Sequence, residues 1–521
     1  MAIAVAGAVE IFVLAALFRT WRAFFLAGLP LFIVGCLFAS YTIMYGSQPG
    51  RSLAYIVLTT SAEEIVGFSS LPQSRLPFLG LITCVTVYLW LSLQLPREPR
   101  IDSDLKPLVV RGLLVLTLLA TIYSATYPND LIDGVATSPS TGTAIFFAST
   151  VPSADRTLHG AGIVKLPYRA HRNGNEEVHI LVIGESARRA SWSAYGYPRR
   201  TTPYLDSVRG EVLLFQHATA DANLTTWSVP ILLTGLTPTQ LSIGSTEAIH
   251  GNLVDLAKEA GYETAWLLNQ DITISIQVGM SPDRLIYPPD FKATLLDRHA
   301  LDEALLPGLQ RELSRTGHAR FIGIHMIGSH WEYYRRYPPR FQRFGSPGGL
   351  NTLAIFTTGA IQARVTDSYD NTVLYSDWFL KQVIEAASRL TVPTTVTFFP
   401  DHGEDLEQFD GTSGHGAPQY TRHAFEIPVF VWMNAAFRKA HPDKLAALRA
   451  NTSRAIRTHD VFDTMADLMG ISWPGARASR SFASNQFVPD THEKYAAGGV
   501  LIEPPASQSV NAVSIPSPRL R

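Results

Sequence analysis

Apolar residues fall along this chain in two regimes. From Met1 to about Ala125 they run in long blocks almost free of charge; beyond that they come as short strand-length runs alternating with stretches of helical spacing. Ala23 to Tyr45 is uncharged, and Pro77 to Leu95 and Leu108 to Tyr123 carry only Arg111 between them. A helix needs roughly 20 apolar residues to cross a hydrocarbon core, so three spans are expected. Met1 to Phe18 is a weaker fourth candidate, because it contains Glu10 and lacks the basic start of a cleaved signal peptide.

The segment Tyr127 to Glu176 is rich in Pro, Ser, Thr and Gly and reads as a linker with room for one short surface helix. From Glu177 onward, Val178–Ile183, Val212–His217, Glu263–Leu268, Phe321–Met326, Val396–Phe399 and Ile427–Trp432 have the β-branched, apolar character of strands. Between them, Leu253–Ala260 and Tyr369–Ala387 carry apolar residues at helical spacing, with Val373, Leu374, Phe379 and Val383 on one face of the second. That alternation predicts an α/β sheet. Gly345–Thr358 reads as a surface insertion, and the Pro- and Ser-rich residues after Glu503 as disordered. The expected organisation is a helical transmembrane domain over 1–125, a linker over 126–176, a catalytic domain over 177–502 and a tail over 503–521.

Charge adds orientation. Arg19 and Arg22 lie in one short connection, and Arg97, Arg100 and Lys106 in another; both should face the cytoplasm, which places everything after Tyr123 outside. The loop Gly46–Arg75, with Glu63 and Glu64, would share that side. The net charge of −1 excludes the strong basic bias of a nucleic-acid binder. The two cysteines, Cys36 and Cys84, both lie in apolar runs, so the outer domain has no disulfide and must rely on a large core.

Three separated segments carry candidate chemistry: Gly184-Glu185-Ser186, Thr225 within Asn-Leu-Thr-Thr-Trp-Ser-Val-Pro, and Asp401-His402-Gly403-Glu404. Zinc accepts carboxylate oxygen and imidazole nitrogen, and a catalytic site keeps one position open for the reacting group. Glu185, Asp401 and His402 could supply the fixed ligands. An alcohol such as Thr225 is a poor nucleophile unless a metal lowers its pKa. Glu185 and Asp401 follow strand-like runs directly, and the carboxyl edge of an open α/β sheet is where sites form. Read singly, such triplets and pairs are more often loops or satisfied polar contacts. A basic cluster, Arg188, Arg189, Arg199 and Arg200, could meet lipid phosphates, although many such clusters are only solvated.

Further motifs follow in order: Tyr195-Gly196-Tyr197-Pro198-Arg199-Arg200-Thr201-Thr202-Pro203, then Ser228-Val229-Pro230-Ile231-Leu232-Leu233-Thr234-Gly235. After these come His325-Met326-Ile327-Gly328-Ser329-His330, Arg335-Arg336-Tyr337-Pro338, Tyr369-Asp370-Asn371 and Thr421-Arg422-His423 leading to Ile427-Pro428. Together with the three segments above, the series resembles the lipopolysaccharide phosphoethanolamine transferases of Gram-negative envelopes, within the alkaline phosphatase and sulfatase superfamily. Thr421-Arg422-His423 looks like the branch that modifies the heptose core, and the absence of disulfides departs from the lipid A branch.

The resemblance implies a helical membrane anchor followed by an α/β sandwich of the alkaline phosphatase and sulfatase type. It implies zinc held by Glu185, Thr225, Asp401 and His402, with Thr225 carrying the phosphoethanolamine covalently. His330 and His415 would lie near the phosphoryl group, to neutralise charge, bind a second zinc or protonate a leaving alkoxide, and His325 would be a structural neighbour. Adjacent Thr226 also has a hydroxyl. Counting back from Leu232-Leu233-Thr234-Gly235, as the superfamily pattern does, selects Thr225 at a helix N-terminus that favours phosphoryl oxygens. Threonine cannot become the aldehyde hydrate of a sulfate-ester hydrolase. The expected reaction moves phosphoethanolamine from phosphatidylethanolamine to lipopolysaccharide, core or lipid A, at the periplasmic side of the inner membrane. A phosphodiesterase or phosphatase, a glycerol-phosphate transferase, and a non-catalytic sensor are the alternatives.

Overall fold

The computed structural model describes residues 18, 20–45, 72–95, 167–241, 249–270, 279–289, 300–345, 358–406, 413–415, 420–497 and 500–503. The candidate spans Met1–Phe18, except Phe18 itself, and Leu108–Tyr123, the loop with Glu63 and Glu64, most of the linker, the insertion Gly345–Thr358 except at its two ends, and the tail after Glu503 lie outside the described residues.

Two apolar helices, α1 (Trp21–Tyr45) and α2 (Pro72–Gln94), pack side by side. The Tyr88 hydroxyl donates to the Phe25 carbonyl at 2.9 Å, and its ring stacks on Phe32 at 4.1 Å between centroids. Among the described residues, α2 contains one stretch, Pro77–Gln94, long and apolar enough to cross a membrane. Leu79, Ile82, Trp90 and Leu91 on its surface are exposed, as a lipid-facing helix requires.

The rest is built on a seven-stranded sheet. Its strands are β1 (Val178–Ile183), β2 (Val212–Phe215), β3 (Glu263–Leu268), β4 (Arg284–Ile286), β5 (Arg320–His325), β6 (Thr394–Phe398) and β7 (Val429–Met433), in the spatial order β2-β7-β6-β1-β5-β3-β4. Strand β7 runs antiparallel to both its neighbours, and the other pairs are parallel.

Strand β1 is buried at every position, which is why it reads as a continuous apolar run instead of an alternating one. Leu181 and Ile183 face a layer formed by α3 (Thr225–Thr234), α4 (Leu253–Glu259) and α8 (Val461–Leu468), through Val229, Leu232, Leu256 and Met465. Ile180 and Val182 face α5 (Leu306–Leu313) and α6 (Thr358–Ser388), through Leu309, Val373, Phe379 and Val383. Between α6 and α8 in the chain, α7 (Pro442–Asn451) adds Leu448 to the first layer. Each fully buried aliphatic side chain contributes about 1.5–3 kcal/mol, and two faces of such contacts make a helix–sheet–helix sandwich that needs no disulfide.

Several boundaries differ from the expected ones. Ordered contacts begin before Glu177: His171–Arg172 pairs antiparallel with Ile471–Ser472, and the Tyr168 and Ala170 amides donate to Glu259. The expected strand Val212–His217 breaks at Gln216, whose amide turns to the Thr452 carbonyl, and resumes as His217–Thr219 paired with Ala455–Arg457. Helix α6 starts eleven residues ahead of the expected Tyr369 start, at Thr358. Helix α3 ends at Gly235, which has φ 66° and accepts the left-handed conformation that closes a helix; a Cβ there would lie 2.9 Å from Phe462 Cβ.

Candidate metal centre

Glu185 and Asp401 meet because β1 and β6 are parallel neighbours, with Val182 opposite Phe398. The ladder continues past both strands: the Phe399 amide donates to the Val182 carbonyl at 3.0 Å, and the Asp401 amide to the Gly184 carbonyl at 2.9 Å. Strand β5 adds a third edge, with the Met326 amide on the Ile183 carbonyl and the Ser329 amide on the Glu185 carbonyl. Ser186 takes the left-handed conformation, φ 53°, at the turn that leaves β1, a strained state that persists where surrounding contacts enforce it.

Thr225 opens α3, so its side chain stands at the N-terminal end of that helix. Its Oγ1 lies 3.2 Å from Glu185 Oε2 and 3.2 Å from His402 Nε2. The Ser228 hydroxyl donates to the Asp401 carbonyl and ties the first turn of α3 to the ligand loop.

Donor arrangement tests the fit of a metal. His402 Nδ1 lies 2.7 Å from the Gly403 carbonyl, which assigns the proton to Nδ1 and leaves the Nε2 lone pair inward. That lone pair meets Glu185 Oε1 at 3.5 Å and Asp401 Oδ2 at 3.4 Å. Asp401 Oδ1 accepts from the Ser186 and His402 amides, whereas the buried Oδ2 has no hydrogen-bond partner among the described residues. Burial, then the Asp401 carboxylate, push Glu185 well above the ordinary carboxylate range. Burial also lowers His402. Lone pairs and like charges converging in a buried place are what a divalent cation neutralises, so Glu185, Asp401 and His402 fit a metal ion with Thr225 beside it.

His330 and His415 stand on the outer side of the same carboxylate. Their ligand atoms and one from Glu185 lie within 4.8 Å of one another, so Glu185 is shared between two donor groups. The His415 ring is centred 4.5 Å from that of His402 and 5.4 Å from that of His330. His325 ends β5, and burial lowers it to about 4.

The Arg cluster does not form one surface. Arg199 pairs with Asp367 and Asp370, and Arg189 with Glu426.

Gln270 is absent from the sequence reading, and Ser186 and Glu404 stand in its motifs without a role of their own. The Gln270 amide donates to Glu185 Oε2 and to the Met326 carbonyl, both at 3.0 Å; it follows the end of β3, so the carboxyl-edge rule extended to that strand points to it. Ser186 Oγ donates to Glu185 Oε1 at 2.6 Å. Glu404 holds His415 Nδ1 at 3.0 Å.

The sulfatase family model matches residues 178–471, more than half of the chain, and the chain belongs to that family. Its α/β domain is accordingly of the alkaline phosphatase type. Within the family it is 27% identical over 461 residues to phosphoethanolamine transferase EptA of Salmonella typhimurium, covering 84% of this chain and 81% of that protein. Among solved structures, the integral membrane lipooligosaccharide phosphoethanolamine transferase A of Neisseria meningitidis superposes with a TM-score of 0.68 at 22% identity, over 88% of this chain and 86% of that one. The periplasmic domain of Escherichia coli EptC, in complex with Zn, superposes with a TM-score of 0.56 at 23% identity, over 66% and 96%.

Proposed function

We propose that this protein is a membrane-anchored phosphoethanolamine transferase that moves the head group of phosphatidylethanolamine onto lipopolysaccharide, on core or lipid A. The observation that carries the reading is the Thr225 hydroxyl, at a helix N-terminus and 3.2 Å from both Glu185 and His402. The transferase names of the relatives, and the Zn complex of the E. coli domain, support the reaction and the choice of zinc. The apolar helices α1 and α2, and the membrane-protein relative, support an inner-membrane anchor over 1–125 with the domain 177–502 in the periplasm.

Glu185, Asp401, His402 and the Thr225 oxygen would hold the zinc, which when bound supplies a Lewis acid that favours the ionised hydroxyl and offsets phosphoryl charge. Thr225 Oγ1 passes its proton to solvent water and attacks phosphorus; the bond to the diacylglycerol oxygen breaks, and that oxygen takes a proton from the imidazolium of His330 or His415. The positive end of the α3 dipole favours the phosphoryl oxygens. In the second half an acceptor hydroxyl, whose proton returns to that imidazole, or an acceptor phosphate, with water reprotonating the imidazole, attacks the same phosphorus; the phosphorus–Oγ1 bond breaks, and the Thr225 oxygen takes a proton from water.

Mass spectrometry of the membrane-purified, zinc-loaded protein after exposure to phosphatidylethanolamine tests this. The expected result is added phosphoethanolamine on the Thr225 peptide, lost when lipopolysaccharide is supplied and absent in Thr225→Ala. Release of the head group into water without lipopolysaccharide would point to a phosphodiesterase instead, and an adduct mass of glycerol phosphate to that donor.

A further inference from the structure

The residues that lead into α3, 220–224, form no helix or strand of their own, and the next residue is Thr225. Their anchor is Asp221, fully buried and four residues ahead of Thr225. One carboxylate oxygen accepts from Arg457 Nε at 2.6 Å; the other accepts from the His459 amide at 2.8 Å and from His459 Nδ1 at 2.9 Å. Its own amide donates to Thr458 Oγ1, and its carbonyl accepts from the Ala496 amide.

The clamp extends beyond the segment that the family model matches. Arg457 donates to the carbonyls of Glu493 and Lys494 at 2.7 and 2.8 Å and stacks on Tyr495 with its charge centre 3.9 Å from the ring centre. The Asn223 amide donates to the Ala496 carbonyl at 3.2 Å, and Ala222 packs with Ala496 against Trp227 of α3. Chain segments 219–223, 457–460 and 493–497 thus meet around a single carboxylate.

We propose that Asp221 is a positioning residue for Thr225: with Arg457 and His459 it locks residues 220–224, so that the first turn of α3 presents the hydroxyl to Glu185 and His402. A buried ion pair returns little net stability over an apolar replacement, because desolvation offsets its attraction; in some proteins what it supplies is a unique arrangement of the segments it joins. A reacting group needs that restriction, since displacement by about 1 Å can cost on the order of 100-fold in rate. The proposal rests on Thr225 being the nucleophile.

The test is single-turnover formation of the Thr225 adduct by full-length, zinc-loaded protein with vesicles of phosphatidylethanolamine, alongside zinc content, melting temperature and amide hydrogen exchange over 219–228. In Asp221→Asn, an amide nitrogen faces donors on one side, so the adduct rate constant should fall roughly 10- to 100-fold. Half-saturating lipid and zinc content should stay unchanged, and exchange at 221–225 should rise. His459→Leu, which keeps the backbone bond, should fall in the same direction. His459→Asn, whose amide can take the place of Nδ1–H, should return toward wild type. A wild-type rate constant in the folded fraction of Asp221→Asn and His459→Leu overturns the proposal. If wild type itself forms no adduct, the transfer reading has failed, and the exchange data still decide: unchanged protection at 221–225 in every variant overturns the anchoring role. Should Asp221→Asn not fold, the His459 pair carries the test.

Discussion

Asp401→Asn separates the cost of the metal centre from its benefit. Asp401 Oδ1 accepts two backbone amides, and an asparagine oxygen in its place keeps both. The other oxygen is buried without a hydrogen-bond partner among the described residues, and the Glu185 carboxylate lies within reach of it. An asparagine NH2 there becomes a donor facing an acceptor. Ligand atoms of the two carboxylates are within 4.8 Å of one another; with an effective dielectric of about 20, two full charges at that separation repel by about 3.5 kcal/mol. The repulsion is larger at any shorter separation, and proton uptake by one carboxylate recovers part of it, so in chelator Asp401→Asn should be more stable than wild type by on the order of 1 kcal/mol or more. With zinc the difference should shrink or reverse. A ligand at 100 times its dissociation constant stabilises by about 2.7 kcal/mol, and the variant should lose most of that increment. Thermal denaturation of both proteins in chelator and in zinc, with calorimetric titration of the metal, measures all four quantities. A variant that is less stable in chelator, or that binds zinc as tightly as wild type, would refute the charge-repulsion account.

Thr225→Ala should retain bound zinc, at reduced affinity, and lose the adduct completely; any phosphoethanolamine elsewhere on the protein would identify a different nucleophile. Gly403→Ala should destabilise the domain by more than the 1–3 kcal/mol usual for overpacking, because its Cβ would lie 2.0 Å from the His423 carbonyl oxygen; chemical denaturation and zinc content read the two effects. Burial alone would raise Asp221, but Arg457 and His459 outweigh it and hold it at about 2. Its folded pKa is therefore below the unfolded one of about 3.9, so its stabilisation is present above pH 4 and lost as pH falls toward 2. The loss is on the order of 2 kcal/mol, and Asp221→Asn should flatten that part of a stability-against-pH curve.

Much of the sheet was legible because parallel strands buried on both faces leave unbroken apolar runs, and Glu185 and Asp401 were legible because each sits two residues past such a run. What stayed hidden is of another kind. Strand β4 is three residues long and carries Arg284 in its first position, too little for periodicity to register. The break at Gln216 follows from a tertiary hydrogen bond to Thr452 that no local pattern encodes. His171–Arg172 became a strand only because Ile471–Ser472 lies alongside it. Gln270 and Asp221 are polar residues in polar surroundings; their partners lie far away in the chain, so their burial and bonding appear only once the layers are assembled.

The pairing of β1 with β6 has a consequence for how this protein could vary. The separation of Glu185 from Asp401 is a repeat of the backbone ladder, about 4.8 Å across neighbouring strands, while 215 positions separate Ser186 from Asp401 along the chain. The loops in that interval that lie outside the strands and the site residues, including those that border the edge where an acceptor must approach, can lengthen, shorten or change sequence without altering the spacing of the two carboxylates. Such a chain can diversify what it modifies while the reacting centre stays constant, and loop exchange between relatives is the engineering route that this layout opens.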